Sequence, residues 1–304
     1  MILIAGGSGT LGRRVVRLLR GQGASVRILT RDPARAADLA AAGAEIAIGD
    51  VRDAESVARA MPGVQTVISA IQGFSGTGGD SPQTVDWEGN RTLIRAAREA
   101  GIEHFILVSV QGAASEHPME LFRTKYRAEQ ELQASGLGWT IIRPTASMET
   151  WATLIGMPLL QTGRTRLFGR GSNPINFVAA DDVARFVALA ASDPALRGEV
   201  VEVGGPENLT FRQFAETFQT ATGKEGKIAH VPLPLMRALA VLLRPVNPTI
   251  ARQISAAIVM DTRDMTFDAT ATALRYPAIV PTPLAQVVAR DYGAGRPTER
   301  GDHS

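Results

Sequence analysis

The 304-residue chain contains no cysteine, which excludes disulfides, thiolate nucleophiles and cysteine-ligated metals at the outset. Histidine is scarce, and the four present (His104, His117, His230, His303) show no metal-ligand spacing. Aromatic residues make up only 5%, with three tyrosines, so a phenol that exchanges protons has few places to come from. Neither charge sign dominates. The formal net charge is +2 and the arginines are scattered without a run, so no nucleic-acid partner is indicated. Long apolar runs are also missing: the stretch Leu233 to Leu243 is interrupted by Arg237 and is too short to cross a bilayer. There is no G-x-S-x-G elbow, which argues against a serine hydrolase of that type. Strand signal starts at residue 2, leaving no room for a leader, so the cytoplasm is the expected location.

What the chain does have is glycine in one telling place. The apolar run Ile2-Leu3-Ile4-Ala5 breaks into Gly6-Gly7-Ser8-Gly9-Thr10-Leu11-Gly12, and apolar residues resume with helical spacing at Val15, Val16, Leu18 and Leu19. Strand, tight turn and helix in that order place a diphosphate on a helix N-terminus. The first glycine permits the turn, the middle one lets backbone approach the anionic oxygens, and Gly12 permits close helix–strand packing. A Walker loop is excluded, because Arg13-Arg14 stands where Lys-Ser/Thr is needed.

Strand and helix patterns then alternate. Strands are expected at 25–29, 45–48, 66–70, 105–109 and 139–142, with helices over 33–42, up to Met61, 85–100 and 119–134. Near-continuous apolar strands at this spacing predict a parallel sheet buried on both faces, the doubly wound Rossmann class of α/β fold. The expected division is a dinucleotide-binding domain over 1–145, with segments near 175–204 returning twice to extend its sheet. A smaller, mostly helical substrate lobe over 146–292 and a disordered polar tail over 293–304 complete it. Beyond Ile228 the prolines punctuate short helices and strand signal is weak. The glycine-rich stretch Gly73 to Ser81 follows strand four on the ligand-bearing edge of such sheets. It reads either as a surface loop or as a lid that orders over cofactor.

The expected cofactor contacts are Gly6, Ser8, Gly9, Thr10, Leu11 and Gly12 in the turn, Thr30 and Arg31 after strand two, Asp50 and Val51 after strand three, Ala70 after strand four, and Lys125. An acid at the end of strand two would bond ribose hydroxyls and repel a 2′-phosphate. Thr30-Arg31 in its place favours NADP(H), with Arg13 and Arg35 as weaker supplements. Asp50 is placed to accept from the adenine amine while Val51 covers the ring; a turn or cap role for Asp50 is the other reading.

Gly6-x-x-Gly9-x-x-Gly12, Arg31, Gly49-Asp50-Val51-x-Asp53, His104 to Ser109, Trp139 to Pro144 and Gly204 to Thr210 together resemble the atypical short-chain dehydrogenase/reductases, most closely the NmrA-like branch. The resemblance covers most of residues 1–220. It implies a Rossmann core, NADP(H) binding and a C-terminal substrate lobe. The wider superfamily pairs a tyrosine with a lysine four residues later, the lysine lowering the phenol's pKa and holding the nicotinamide ribose. The lysine here is Lys125, with Glu129 one turn on as a helical partner, but Leu121 occupies the tyrosine's position. Tyr126 is adjacent in sequence yet points about 100° away around the helix. That leaves Lys125 as cofactor ligand, as proton donor, or as both, and Ser109 as a group that orients a substrate carbonyl. Met148, Trp151, Phe168 and Phe177 are weaker candidates for an apolar pocket, and Asp182 reads as a cap more readily than as an acid.

The expected function is an NADP(H)-dependent oxidoreductase acting on a small carbonyl, quinone or conjugated electrophile. A non-catalytic redox sensor acting through a regulatory protein partner is the alternative, motivated by Leu121. A homodimer is compatible with either. A sugar-nucleotide epimerase relative is disfavoured by the missing tyrosine.

Overall fold

In the computed structural model, which describes residues 1–74, 76 and 79–293, seven parallel strands form the central sheet. They are β1 (Ile2–Ala5), β2 (Val26–Thr30), β3 (Glu45–Ile48), β4 (Thr66–Ser69), β5 (His104–Val108), β6 (Gly138–Pro144) and a late strand, Glu199–Val203, introduced below as β10. Their spatial order is β10-β6-β5-β4-β1-β2-β3. The order reverses beside β1, and that switch point is where ligands bind in open α/β sheets.

The strands read as apolar throughout because both faces are covered. Ile28, Ile4, Ile68 and Ile106 stand in register across four strands and pack under the helices Thr10–Gly21 and Ala180–Ser192. The alternate residues Leu3, Leu29, Val67, Phe105 and Leu107 face the other layer, which is built on Val57, Leu93, Ala97, Ala128 and Leu132. Period-two alternation therefore sorts each strand between two buried layers.

Past β6 the chain builds the lobe. It contains β7 (Ala146–Ser147), β8 (Arg164–Phe168), β9 (Ile175–Val178), β10 (Glu199–Val203), β11 (Asn208–Leu209) and β12 (Lys227–Val231), with helices Phe211–Thr222, Leu233–Leu242, Pro248–Thr262, Thr270–Arg275 and Leu284–Tyr292. Among the described residues one segment returns to the main sheet, not two: β10 pairs with β6, whereas β9 pairs with β7 and β11 in a separate three-stranded sheet. A strand also lies where little strand signal was expected, around Ile228. Lys227–Val231 pairs in parallel with β8 and is mostly exposed, so it lacks the apolar alternation that marks a strand. Of the anticipated tail, residues 294–304 lie outside the described residues, as do Ser75, Thr77 and Gly78 of the glycine-rich stretch. No helix among the described residues is long and apolar enough to cross a membrane.

Candidate active site

The glycine turn has the geometry that a diphosphate cradle requires. Gly6 adopts φ +82°, and a Cβ there would lie 2.6 Å from the carbonyl O of Ala70. A Cβ on Gly12 would lie 2.1 Å from the carbonyl O of Gly6, so only glycine lets the first helix approach β1 this closely. Gly9 differs: its added Cβ would meet a single atom, Gly6 O at 3.3 Å. Its open side, at the head of Thr10–Gly21 where no acidic residue occupies the first turn, suits an anion. Ser8 Oγ lies 3.5 Å from Thr30 Oγ1, and the Thr30 hydroxyl donates to the carbonyl O of Asp32 at 3.0 Å. Thr30 thus braces the turn from beneath.

Arg31 already has company. Its guanidinium donates to both oxygens of Asp80, at 2.9 and 2.8 Å, and Asp50 stands 4.0 Å away. Arg52 bonds Asp50 at 2.6 Å and reaches Asp80 at 3.1 Å. The hydrogen bonds it donates to Asp80 raise the Arg31 pKa above its ordinary value. Burial alone pushes Asp50 up, but the hydrogen bonds and charge of Arg52 hold it below the ordinary carboxylate range. Asp50 also accepts from the backbone N–H of Arg52, the turn role that its sequence context allowed. Val51 packs under Gly89 and beside the core that contains Ile71. Arg13 is paired with Asp38 and bonds Arg35 O, which engages it away from Arg31.

The lysine is placed differently from the sequence expectation. Lys125 is 3% exposed. Its Nζ donates to the carbonyls of Ile71 (2.9 Å) and Val108 (3.0 Å) and forms an ion pair with Asp86 at 3.0 Å. Two carbonyls and one carboxylate thus hold the ammonium inside the protein, although Asp86 Oδ1 itself accepts no hydrogen bond. Glu129 is not its partner; that carboxylate takes Arg143 in a bidentate contact. Asp86 carries no local signal in the sequence. Ser81 and Thr84 form a reciprocal cap at the start of Pro82–Gly89, and this segment's wide helical turns bring Asp86, fully buried, to Gly73 N–H and Lys125. Burial raises the Asp86 pKa above its ordinary value, against the pull of Lys125 and the Gly73 N–H. Lys125 and Asp86 together tie the ends of β4 and β5 to two helices.

Above them the site is apolar and bridges the two halves of the chain. Leu121, in the tyrosine's position, packs with Met119, Phe122 and Ala256 of Pro248–Thr262, and Phe74, Val110, Val259 and Met265 join the same cluster. Two polar groups lack protein partners here. Ser109 Oγ is buried at the end of β5 without a hydrogen bond, and Arg252 Nε, one turn before Ala256, is likewise buried and unbonded. Another Arg252 nitrogen donates to the carbonyl O of Phe74 at 3.2 Å. Met148, Trp151 and Phe177 are spent on packing. They belong to the lobe's own core, where Trp151 and Phe177 pack against Phe211. Asp182 accepts from the N–H and hydroxyl of Thr282 and anchors the C-terminal segment. No group of three or more metal-ligating side chains occurs among the described residues.

The chain matches the NAD(P)H-binding family over residues 6–194, more than half its length. It belongs to that family, among the atypical short-chain dehydrogenase/reductases of NmrA-like type. The cofactor is therefore NADP(H). An NAD(P)H azoreductase of Xenophilus azovorans is 29% identical over 77% of this chain and 78% of its own. The photosystem II assembly factor Ycf39 of Synechocystis is 29% identical over 80% of this chain and 74% of its own. The fold is shared with an NADPH-dependent quinone oxidoreductase from Escherichia coli solved with NADPH (TM-score 0.76, 23% identity), covering 95% of this chain and 99% of that one.

Proposed function

We propose that the protein is an NADPH-dependent reductase of quinone- or azo-type acceptors. The observation that carries this reading is the missing acid: Leu121 replaces the phenol, and the buried Lys125 ammonium is held by two backbone carbonyls and the Asp86 carboxylate. Bound NADPH supplies a hydride. An acceptor that stabilises the arriving electron pair by its own conjugation needs no proton from the protein in that step; a simple ketone does. The reduced acceptor takes its proton from water, and NADP+ is left behind. Ser109 Oγ and the Arg252 guanidinium, each with an unbonded buried atom, are the donors offered to the developing negative charge. The similarity to an azoreductase and the shared fold with a quinone oxidoreductase support the same acceptor class.

The test is NADPH oxidation followed by absorbance against quinones, azo dyes and aliphatic ketones. Turnover with the first two and none with the ketones is expected; ketone reduction, or no acceptor at all, overturns the proposal. The missing phenol and the likeness to a photosystem II assembly factor favour a second reading, a nucleotide-bound regulatory or assembly protein. For that reading, calorimetry should show tight NADPH binding with no turnover of any acceptor.

A further inference from the structure

The end of β2 lacks the acid that would bond ribose hydroxyls: Thr30 and Arg31 stand there. Yet a carboxylate does reach the place. Asp80, 49 residues further on, grips the Arg31 guanidinium through both oxygens and is flanked on its other side by Arg52. Its side chain is only 10% exposed. A carboxylate held in a fork by one arginine and touched by a second has the donor arrangement that a phosphate monoester would have.

We propose that Asp80 is the specificity-determining residue for the cofactor's 2′ position, occupying the phosphate's seat on Arg31 until a 2′-phosphate displaces it. With NADH the pair stays closed, and Asp80 and Asp50 present carboxylate oxygens toward a free 2′-hydroxyl. With NADPH the phosphate takes Arg31 and Arg52, and Asp80 must give up a bidentate contact while a second anion arrives beside it. Both forms bind, and the preference for the phosphorylated one is smaller than Arg31 and Arg52 would produce alone. The inference rests on the dinucleotide reading of the glycine turn and is independent of turnover.

Calorimetry with 5′-AMP and with 2′,5′-ADP separates these effects, because the two probes differ only in the 2′-phosphate. Asp80→Asn keeps the side chain's size and removes its charge. In that variant 2′,5′-ADP should bind about tenfold tighter, the scale of one charge-assisted contact, while 5′-AMP binds no tighter. Asp80→Glu should stay near the parent, and adding Arg31→Gln to Asp80→Asn should abolish the gain. If both probes weaken together in Asp80→Asn, Asp80 is a clamp that shapes the adenosine site, and the proposal fails. It fails equally if neither affinity changes. If the parent protein binds neither probe, the cofactor-site reading falls with it, a result distinct from binding without discrimination.

Discussion

Replacing Lys125 with methionine separates a lysine that does chemistry from one that holds the site together. Methionine keeps most of the stem's volume and removes the charge. In the parent, Asp86 is fully buried and is balanced by Lys125 and one backbone N–H, that of Gly73. Removing one partner of such a pair leaves an uncompensated buried charge and costs about 3–5 kcal/mol, with the carbonyls of Ile71 and Val108 also losing their donor. Proton uptake limits the loss, because burial already raises the Asp86 pKa and loss of the ammonium raises it further. A carboxyl whose folded pKa lies above its unfolded value contributes stability below the unfolded pKa and loses it as pH rises through the folded one. Lys125→Met should therefore be more destabilised at pH 8 than at pH 5, and adding Asp86→Leu should restore part of the loss. Urea denaturation at both pH values reads this directly. A proton donor with little structural role behaves in the opposite way: stability changes by less than about 1 kcal/mol, as for a replaceable side chain, while the rate with every acceptor collapses. That result would refute the assignment of Lys125 to positioning.

His104 gives a second pH test. It is buried, and its Nε2 donates to Thr140 Oγ1 at 2.9 Å, since the Thr140 hydroxyl itself donates to Leu196 O. Burial, aided by the charge of Arg197, lowers its pKa to about 4. Between that value and the unfolded value of about 6.5 the unfolded chain binds the extra proton, so this group's contribution to stability is present above pH 6.5 and lost as pH falls to 4. The contribution is about 3 kcal/mol, and His104→Gln should flatten the stability profile across that window. Gly12→Ala places a methyl 2.1 Å from Gly6 O; loss of NADPH binding by fluorescence titration is expected, with a lower unfolding temperature. Arg252→Met should reduce kcat/KM for quinones about tenfold to a hundredfold, the range for one preorganised donor, and leave the NADPH Kd within about twofold; an unchanged kcat/KM would remove Arg252 from the site.

The cofactor half was legible because its determinants are local. Gly6, Gly9 and Gly12 lie within seven consecutive residues, and the steric demands that fix them act between a strand and the helix that follows it. The parallel sheet was legible for the same reason, since burial on both faces leaves continuous apolar runs. β9, expected to extend the main sheet, pairs instead within the lobe, and β12 escaped because it is largely exposed and lies outside the main sheet. The charge partners were hidden for a different cause. Glu129 has ideal helical spacing to Lys125, and local spacing named it, but the chain assigns it to Arg143 on β6. Asp86, which does hold Lys125, arrives from another helix.

The substrate half is encoded at longer range still. Arg252 meets the backbone of Phe74 across 178 residues of chain, and Leu121 acquires its meaning only when Ala256 closes over it. A missing tyrosine shows in sequence which chemistry is unavailable; which donors take over depends on a lobe helix that no local pattern ties to β5. If Arg252 and Ser109 serve the acceptor as proposed, the acceptor's charge is managed from the lobe and the end of β5, while the cofactor's is managed by the glycine turn, Arg31 and Arg52. Substitutions in Pro248–Thr262 should then alter acceptor choice without altering the preference between NADH and NADPH, and substitutions at Asp80 should do the reverse. Kinetics with two acceptors and both cofactors on Arg252→Met and Asp80→Asn test that separation, and a cofactor preference that shifts with Arg252 would refute it.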